Sequence, residues 1–190
     1  MKKLLCIALT CVLLACATTP PEQKLSEAFQ LLQENRPIPA ESLIRQAMDE
    51  FKAKGDPYDL GTAQFMYGQF VRSRHFTWKF FRDSYPETDT QEQRNAMAKT
   101  YFLAARLSFQ KALSNPDLAQ DQRTGYLWRE YQANVELGDK AAICSSLKSM
   151  KESNDAYQAK KPGAKVYVAP PYKTFDEFIT TSSNKAECSM

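Results

Sequence analysis

The chain has 190 residues, with 25 Lys and Arg against 22 Asp and Glu and a formal net charge of +3 at neutral pH. So close a balance supplies no broad positive field, which excludes a dedicated nucleic-acid or polyanion binder. One histidine and six glycines, none gathered into a phosphate-cradling loop, leave little material for a metal or nucleotide site.

The first element is a targeting segment. Met1, Lys2 and Lys3 make a positive start, residues 4–14 are uncharged and mostly apolar, and Leu13-Leu14-Ala15-Cys16 ends the run on small residues and a thiol. The apolar stretch is far shorter than the roughly twenty residues a spanning helix needs, so it reads as a signal core. It resembles the lipobox of bacterial lipoproteins. Cys6 lies beside the charged start and Cys11 sits in mid-core, so Cys16 is the thiol that fits; an ordinary cleaved secretory signal is the alternative. The resemblance implies removal of residues 1–15 and a Cys16 that carries diacylglycerol and an acyl chain such as palmitate. Several chains hold a protein on a membrane, at about 0.8 kcal/mol for each buried methylene. Ala17 follows where an aspartate would resemble an inner-membrane retention signal, which implies the periplasmic face of an outer membrane.

Beyond a tether at 16–21, residues 22–154 read as helices joined by tight turns. Leu25, Ala28, Phe29 and Leu32 form the stripe of a first helix. Asn35 to Pro39 interrupts it. Ala40, Ile44, Ala47, Met48 and Phe51 mark a second helix, and Gly55 is its left-handed stop. Asp56-Pro57 then supplies a cap and a first-turn proline for a third helix, with Leu60, Ala63, Met66, Tyr67, Phe70 and Val71 on its face. Thr90 and Gln93 predict a capping box for a fourth, whose stripe is Ala98, Phe102, Ala105, Phe109 and Ala112. Leu127, Trp128, Tyr131 and Val135 belong to a fifth helix ending at Gly138. Asp139 caps a sixth, with Ile143, Cys144, Leu147 and Met150 inward. No stretch alternates strictly enough to compete as a strand.

Ala40-Ile44-Ala47 and Ala105-Phe109-Ala112 repeat a small, bulky, small pattern at offsets zero, four and seven. In this the chain resembles tetratricopeptide repeats, in which small residues admit a close helix neighbour. The resemblance covers about three hairpins, departs from the family's regular period of about thirty-four, and implies an all-α fold of antiparallel hairpins stacked as a short solenoid. A generic helical bundle is the competing architecture.

Between the third and fourth helices, residues 73–89 gather rings and cations: Arg74, Phe76, Trp78, Lys79, Phe81, Arg82 and Tyr85, next to Arg72. Such a mixture can stack on planar groups and pair with anions, so these eight residues form the candidate partner-binding site. The competing reading is a lid of rings over the core with the cations in water. His75 lies in the same segment. A catalytic imidazole needs a nucleophile and an orienting carboxylate, and the chain has no Gly-x-Ser-x-Gly turn. Asp49-Glu50 and Asp176-Glu177 are adjacent carboxylates that diverge on a helix and read as solvated faces.

Residues 155–190 read as a C-terminal cap. Lys160-Lys161-Pro162-Gly163 ends the helices, Pro170-Pro171 turns, and Thr174 with Glu177 caps a short helix bearing Phe175, Phe178 and Ile179. A terminal repeat needs such cover. Cys144 and Cys188 suit a disulfide in an oxidising compartment, while a buried free thiol at Cys144 is the alternative.

Together these features predict a membrane-anchored, non-enzymatic lipoprotein that uses neither cofactor nor metal and binds a protein or peptide of the envelope as a scaffold. The rivals are a hydrolase or lyase of envelope polymers working through His75, and a purely structural envelope lipoprotein.

Overall fold

The computed structural model describes residues 19–73, 90–164, 166, 168 and 170–189. Seven α-helices and no strand occur among them: α1 (Pro21–Gln33), α2 (Pro37–Lys54), α3 (Pro57–Ser73), α4 (Gln91–Leu113), α5 (Gln120–Leu137), α6 (Lys140–Lys160) and α7 (Phe175–Lys185). No described helix is long and apolar enough to cross a membrane.

Local chemistry sets most of the boundaries. Gly55 and Gly138 close α2 and α5 with φ of 70° and 69°, the left-handed geometry that glycine reaches without a Cβ clash. Asp56 Oδ1 accepts from the amides of Tyr58 and Asp59 at 3.0 and 3.1 Å, so the cap predicted at Asp56-Pro57 is present. At Thr90 both halves of the capping box form: its hydroxyl accepts from the Gln93 amide at 3.2 Å, and the Gln93 side chain accepts from the Thr90 amide at 2.8 Å. Asp139 and Thr174 cap α6 and α7 in the same manner, through the amides of Ala142 and Glu177.

Each helix packs on its neighbours in the chain. The turns are short, so successive helices run antiparallel. The tightest pair is α3 with α4, and its register is read from three contacts. Gly61 faces Phe109, Gln64 accepts from the Ser108 hydroxyl at 2.8 Å, and Gly68 faces Phe102. A Cβ on Gly61 or Gly68 would meet the opposing ring at 2.7 Å, so the two glycines form sockets into which the two phenylalanines seat. Alternate helices are parallel. Near the start of α3, Tyr58 stacks on Tyr126 of α5 with centroids 3.8 Å apart, and at the end of α3 Arg72 pairs with Glu136 near the end of α5. Paired helices in this order make a repeat-like, all-α stack.

The inward stripes of α2 and α4 lie where their spacing put them: Ala40, Ile44, Ala47, Phe51, Ala98, Phe102, Ala105, Phe109 and Ala112 are all buried. Met48 of the α2 stripe is half-buried, and two predicted core residues are exposed. Phe29 is 53% exposed and Leu31 takes the inward position on α1, while Val135 is 47% exposed and Ala133 with Asn134 is buried instead. On both helices the buried face is rotated by a residue or two from the apolar stripe. Helix α1 packs chiefly on α2, and on α5, which lies between α4 and α6, small Ala133 admits a closer approach than Val135 would.

A second, smaller core joins α5, α6 and α7 through Leu127, Leu147, Met150, Phe178 and Ile179. Cys144 and Cys188 form a disulfide with Cα atoms 5.5 Å apart, tying the chain just beyond α7 to α6. The C-terminal segment thus covers the last hairpin. Helix α6 runs on to Lys160, past the boundary expected at 154.

Candidate functional site

Helices α1, α3 and α5 line one face of the stack, and a groove of about 650 Å³ opens there. Its walls carry Phe29, Leu32, Phe65, Met66, Phe70 and Gln69, and Arg72, Ser73 and Arg129 line it as well. The outward Phe29 therefore has a place: it is a wall of this groove rather than part of the core. Phe65, absent from the predicted stripe of α3, is buried against Phe102 at a centroid distance of 5.4 Å and also borders the groove.

Of the eight candidate partner-binding residues, Arg72 is described. Its guanidinium donates to both oxygens of Glu136, one bond measuring 2.9 Å, and lies 5.3 Å from the centre of the Phe102 ring. Such a forked pair is planar and directional, so Arg72 clamps α3 to α5 and its charge is already matched within the fold. Arg74, Phe76, Trp78, Lys79, Phe81, Arg82 and Tyr85 lie outside the described residues, as do His75 and the lipidation candidate Cys16. Ser73, the last described residue before that segment, lines the groove.

Between α2 and α3 a polar cluster joins buried Glu41 and Tyr67 to the exposed guanidinium of Arg45. Tyr67 donates to Glu41 Oε1 at 2.7 Å, and Arg45 donates to the same oxygen at 2.9 Å and to the Tyr67 hydroxyl. The guanidinium also lies 4.8 Å from the centre of the Tyr67 ring, and Tyr101 meets that ring edge-on at 4.5 Å. Burial, reinforced by the hydrogen bond to Glu41, holds the Tyr67 hydroxyl well above the ordinary tyrosine pKa. A satisfied cluster of this kind fixes how α2 lies on α3. At the turn between these helices, burial and then the charge of Asp56 push the Asp59 carboxyl upward.

Glu50, expected on a solvated face, instead accepts from Lys24 of α1, whose side chain is only 9% exposed. Glu177 caps α7 by accepting from the Lys173 amide at 2.7 Å. These carboxylates serve helix ends and helix packing. Among the described residues no three His, Cys, Asp or Glu side chains converge as a metal-ligand set.

A second cavity, of about 430 Å³, lies between α5, α6 and the C-terminal segment. Its walls include Trp128, Met150, Val168, Phe175 and Phe178, with Asp121 and Thr124 as polar lining. Gly125 also faces it, and a Cβ there would meet nothing within 4 Å.

Sequence periodicity missed the Gly61 and Gly68 sockets, both cavities and the Glu41-Tyr67-Arg45 cluster. The glycines carried a signal, since their seven-residue spacing on a helix matches that of Phe102 and Phe109. No protein-family model, no curated protein and no solved structure matches the chain.

Proposed function

We propose that this chain is a lipoprotein, anchored through acylated Cys16 on the periplasmic face of an outer membrane, which acts as a protein-binding or assembly scaffold of the envelope. The lipobox residues Leu13-Leu14-Ala15-Cys16 support the anchor. The groove of about 650 Å³ along α1, α3 and α5 carries the binding reading, because it presents apolar side chains and is lined by Ser73, which immediately precedes the aromatic and basic segment in sequence. A partner segment lying along α1, α3 and α5 would bury Phe29 and Met66, and cations of residues 74–89 would meet its acidic or planar groups. Anchoring adds no contact. It confines the domain to a surface and so raises the effective concentration of surface-bound partners.

The test is site-specific crosslinking in cells. A photoreactive residue at Gln69, inside the groove, is expected to give a discrete adduct with one envelope protein, whereas the same group at Lys148 on α6 gives none. Phe29→Asp should abolish the Gln69 adduct, and Trp78→Ala with Phe81→Ala should weaken it while helix content is kept. Equal adducts from Gln69 and Lys148 would sink the groove reading, and loss of folding in the Trp78 and Phe81 variant would assign those rings to the core. Mass spectrometry of the amino terminus addresses the anchor separately: an unmodified Cys16, or a terminus elsewhere, removes it.

A further inference from the structure

We propose that the cavity between α5, α6 and the C-terminal segment is a binding site for a small amphipathic cation, with an apolar or aromatic body and an ammonium-type head. The cavity shares only α5 with the groove, and the inference does not rest on the scaffold reading. Its volume of about 430 Å³ is that of an ordinary small-ligand pocket, typically about 300–1,000 Å³.

The first observation is Gly125. Glycine weakens a helix interior, so its presence there asks for a reason. Gly61 and Gly68 have one, since phenylalanine rings occupy the space a Cβ would need. Gly55 and Gly138 have another, a positive φ. Gly125 has neither: it lies within α5, its φ is outside the left-handed range, and no atom stands where its side chain would go. Gly125 is exposed at the cavity's mouth, and a side chain there would extend into open space beside the aromatic lining.

The second observation is the chemistry of the lining. Trp128 and Phe178 meet edge to face at 4.9 Å, and Phe175 lies 6.1 Å from Phe178, so one side of the cavity is a fixed aromatic wall. Tyr157 lines it as well, and the ammonium of Lys161 lies 5.6 Å from the centre of that ring. The protein's own cation thus already uses a ring of this pocket. Asp121 is the one charged side chain among the described lining residues; its carboxylate accepts from the Gln122 amide at 3.0 Å. The Asp121 carboxylate beside aromatic faces attracts a cation, in competition with the Lys161 ammonium already at Tyr157, and the apolar walls select an apolar body. The Cys144–Cys188 disulfide holds the end of α7 on α6, so the wall carrying Phe175 and Phe178 needs little rearrangement to receive a ligand.

The probe is benzyltrimethylammonium, with phenylacetate and benzyl alcohol as anionic and neutral analogues, titrated into the full isotope-labelled chain in detergent and followed by amide NMR. The expected result is saturable shifts centred on Thr124, Gly125 and Trp128, with phenylacetate weaker by about tenfold or more. Gly125→Leu should fill the cavity, retain or raise the melting temperature, and abolish the saturable shifts. Asp121→Asn should weaken the cation by about tenfold and leave benzyl alcohol unchanged. Absence of saturable shifts at those amides, phenylacetate binding as tightly as the cation, or unchanged binding in a folded Gly125→Leu chain would each overturn the proposal. Should Gly125→Leu fail to fold, the Asp121→Asn comparison decides: equal loss of the cation and the alcohol, or no loss of the cation, counts against it.

Discussion

The α1–α4 half and the α5–α7 half of the molecule are held together by different means. In the first, a continuous core runs from Leu25 to Phe109, and α3 and α4 interlock through two glycine sockets and two rings. In the second, five residues form the buried apolar core, half-buried rings such as Trp128, Tyr131 and Phe175 pack around it, and covalent and polar links add to the cohesion. Cys144 is bonded to Cys188. Buried Asn134 donates to Ser146 at 2.9 Å, and Gln120 donates to the Ser153 hydroxyl at 2.9 Å. A long helix pair can bury a stripe on each partner over its whole length, whereas α7 is too short to do so. Where apolar burial is small, a crosslink and specific hydrogen bonds carry more of the stability.

The comparison can be broken first at its strongest point. Phe109→Ala removes a fully buried ring from the Gly61 socket and is expected to cost about 3–5 kcal/mol in urea unfolding. An effect under a third of that would mean that the interlock contributes little. Replacing both Cys144 and Cys188 by Ser opens a loop of 44 residues and is expected to cost about 3–4 kcal/mol. Hydrogen exchange should then show α7 losing protection while α3 and α4 keep theirs. Simultaneous loss in all three helices would show one cooperative unit and erase the distinction between the halves.

A single type of substitution sharpens the contrast further. Gly61→Ala drives a methyl group into the Phe109 ring and should destabilise by about 1–3 kcal/mol, less what helix propensity returns. Gly125→Ala meets no atom and should stabilise by about 0.5–1 kcal/mol. Thermal unfolding of the two variants is expected to move in opposite directions, and shifts of the same sign would contradict the sockets.

The smallest effect concerns pH. Tyr67 keeps its proton in the folded state at pH values where an unfolded tyrosine loses it, because burial and the Glu41 bond raise its pKa. The unfolded chain therefore binds fewer protons above about pH 10, and stability falls as pH rises past that point. Tyr67→Phe should cost about 1 kcal/mol near neutrality and flatten the alkaline loss in pH-dependent denaturation. An unchanged alkaline slope would remove Tyr67 as its source.

Helix existence and most helix ends were legible in the chain, since they depend on neighbours in sequence. Asp56 with Pro57, Thr90 with Gln93, and Gly55 and Gly138 act within one turn, and no tertiary partner is needed to stop or start a helix there. The inward faces of α2 and α4 were legible for the same reason, because both helices have partners on two sides and periodicity alone selects what is buried. Of the eight candidate partner-binding residues Arg72 alone is described, and its role as a clamp to Glu136 was not legible.

Only the packed chain decided which apolar residues face outward, because that depends on where a neighbour stops. Phe29 and Val135 have the spacing of core residues and lie at the surface: α1 packs chiefly on α2, and α5, between α4 and α6, buries Ala133 and Asn134 instead. The pairing of Gly61 and Gly68 with Phe109 and Phe102, the open space at Gly125, and the closing of Cys144 on Cys188 join residues far apart along the chain. Local propensity holds no information about such distances. They follow from helix register, which is fixed when the side chains of two helices must share one volume.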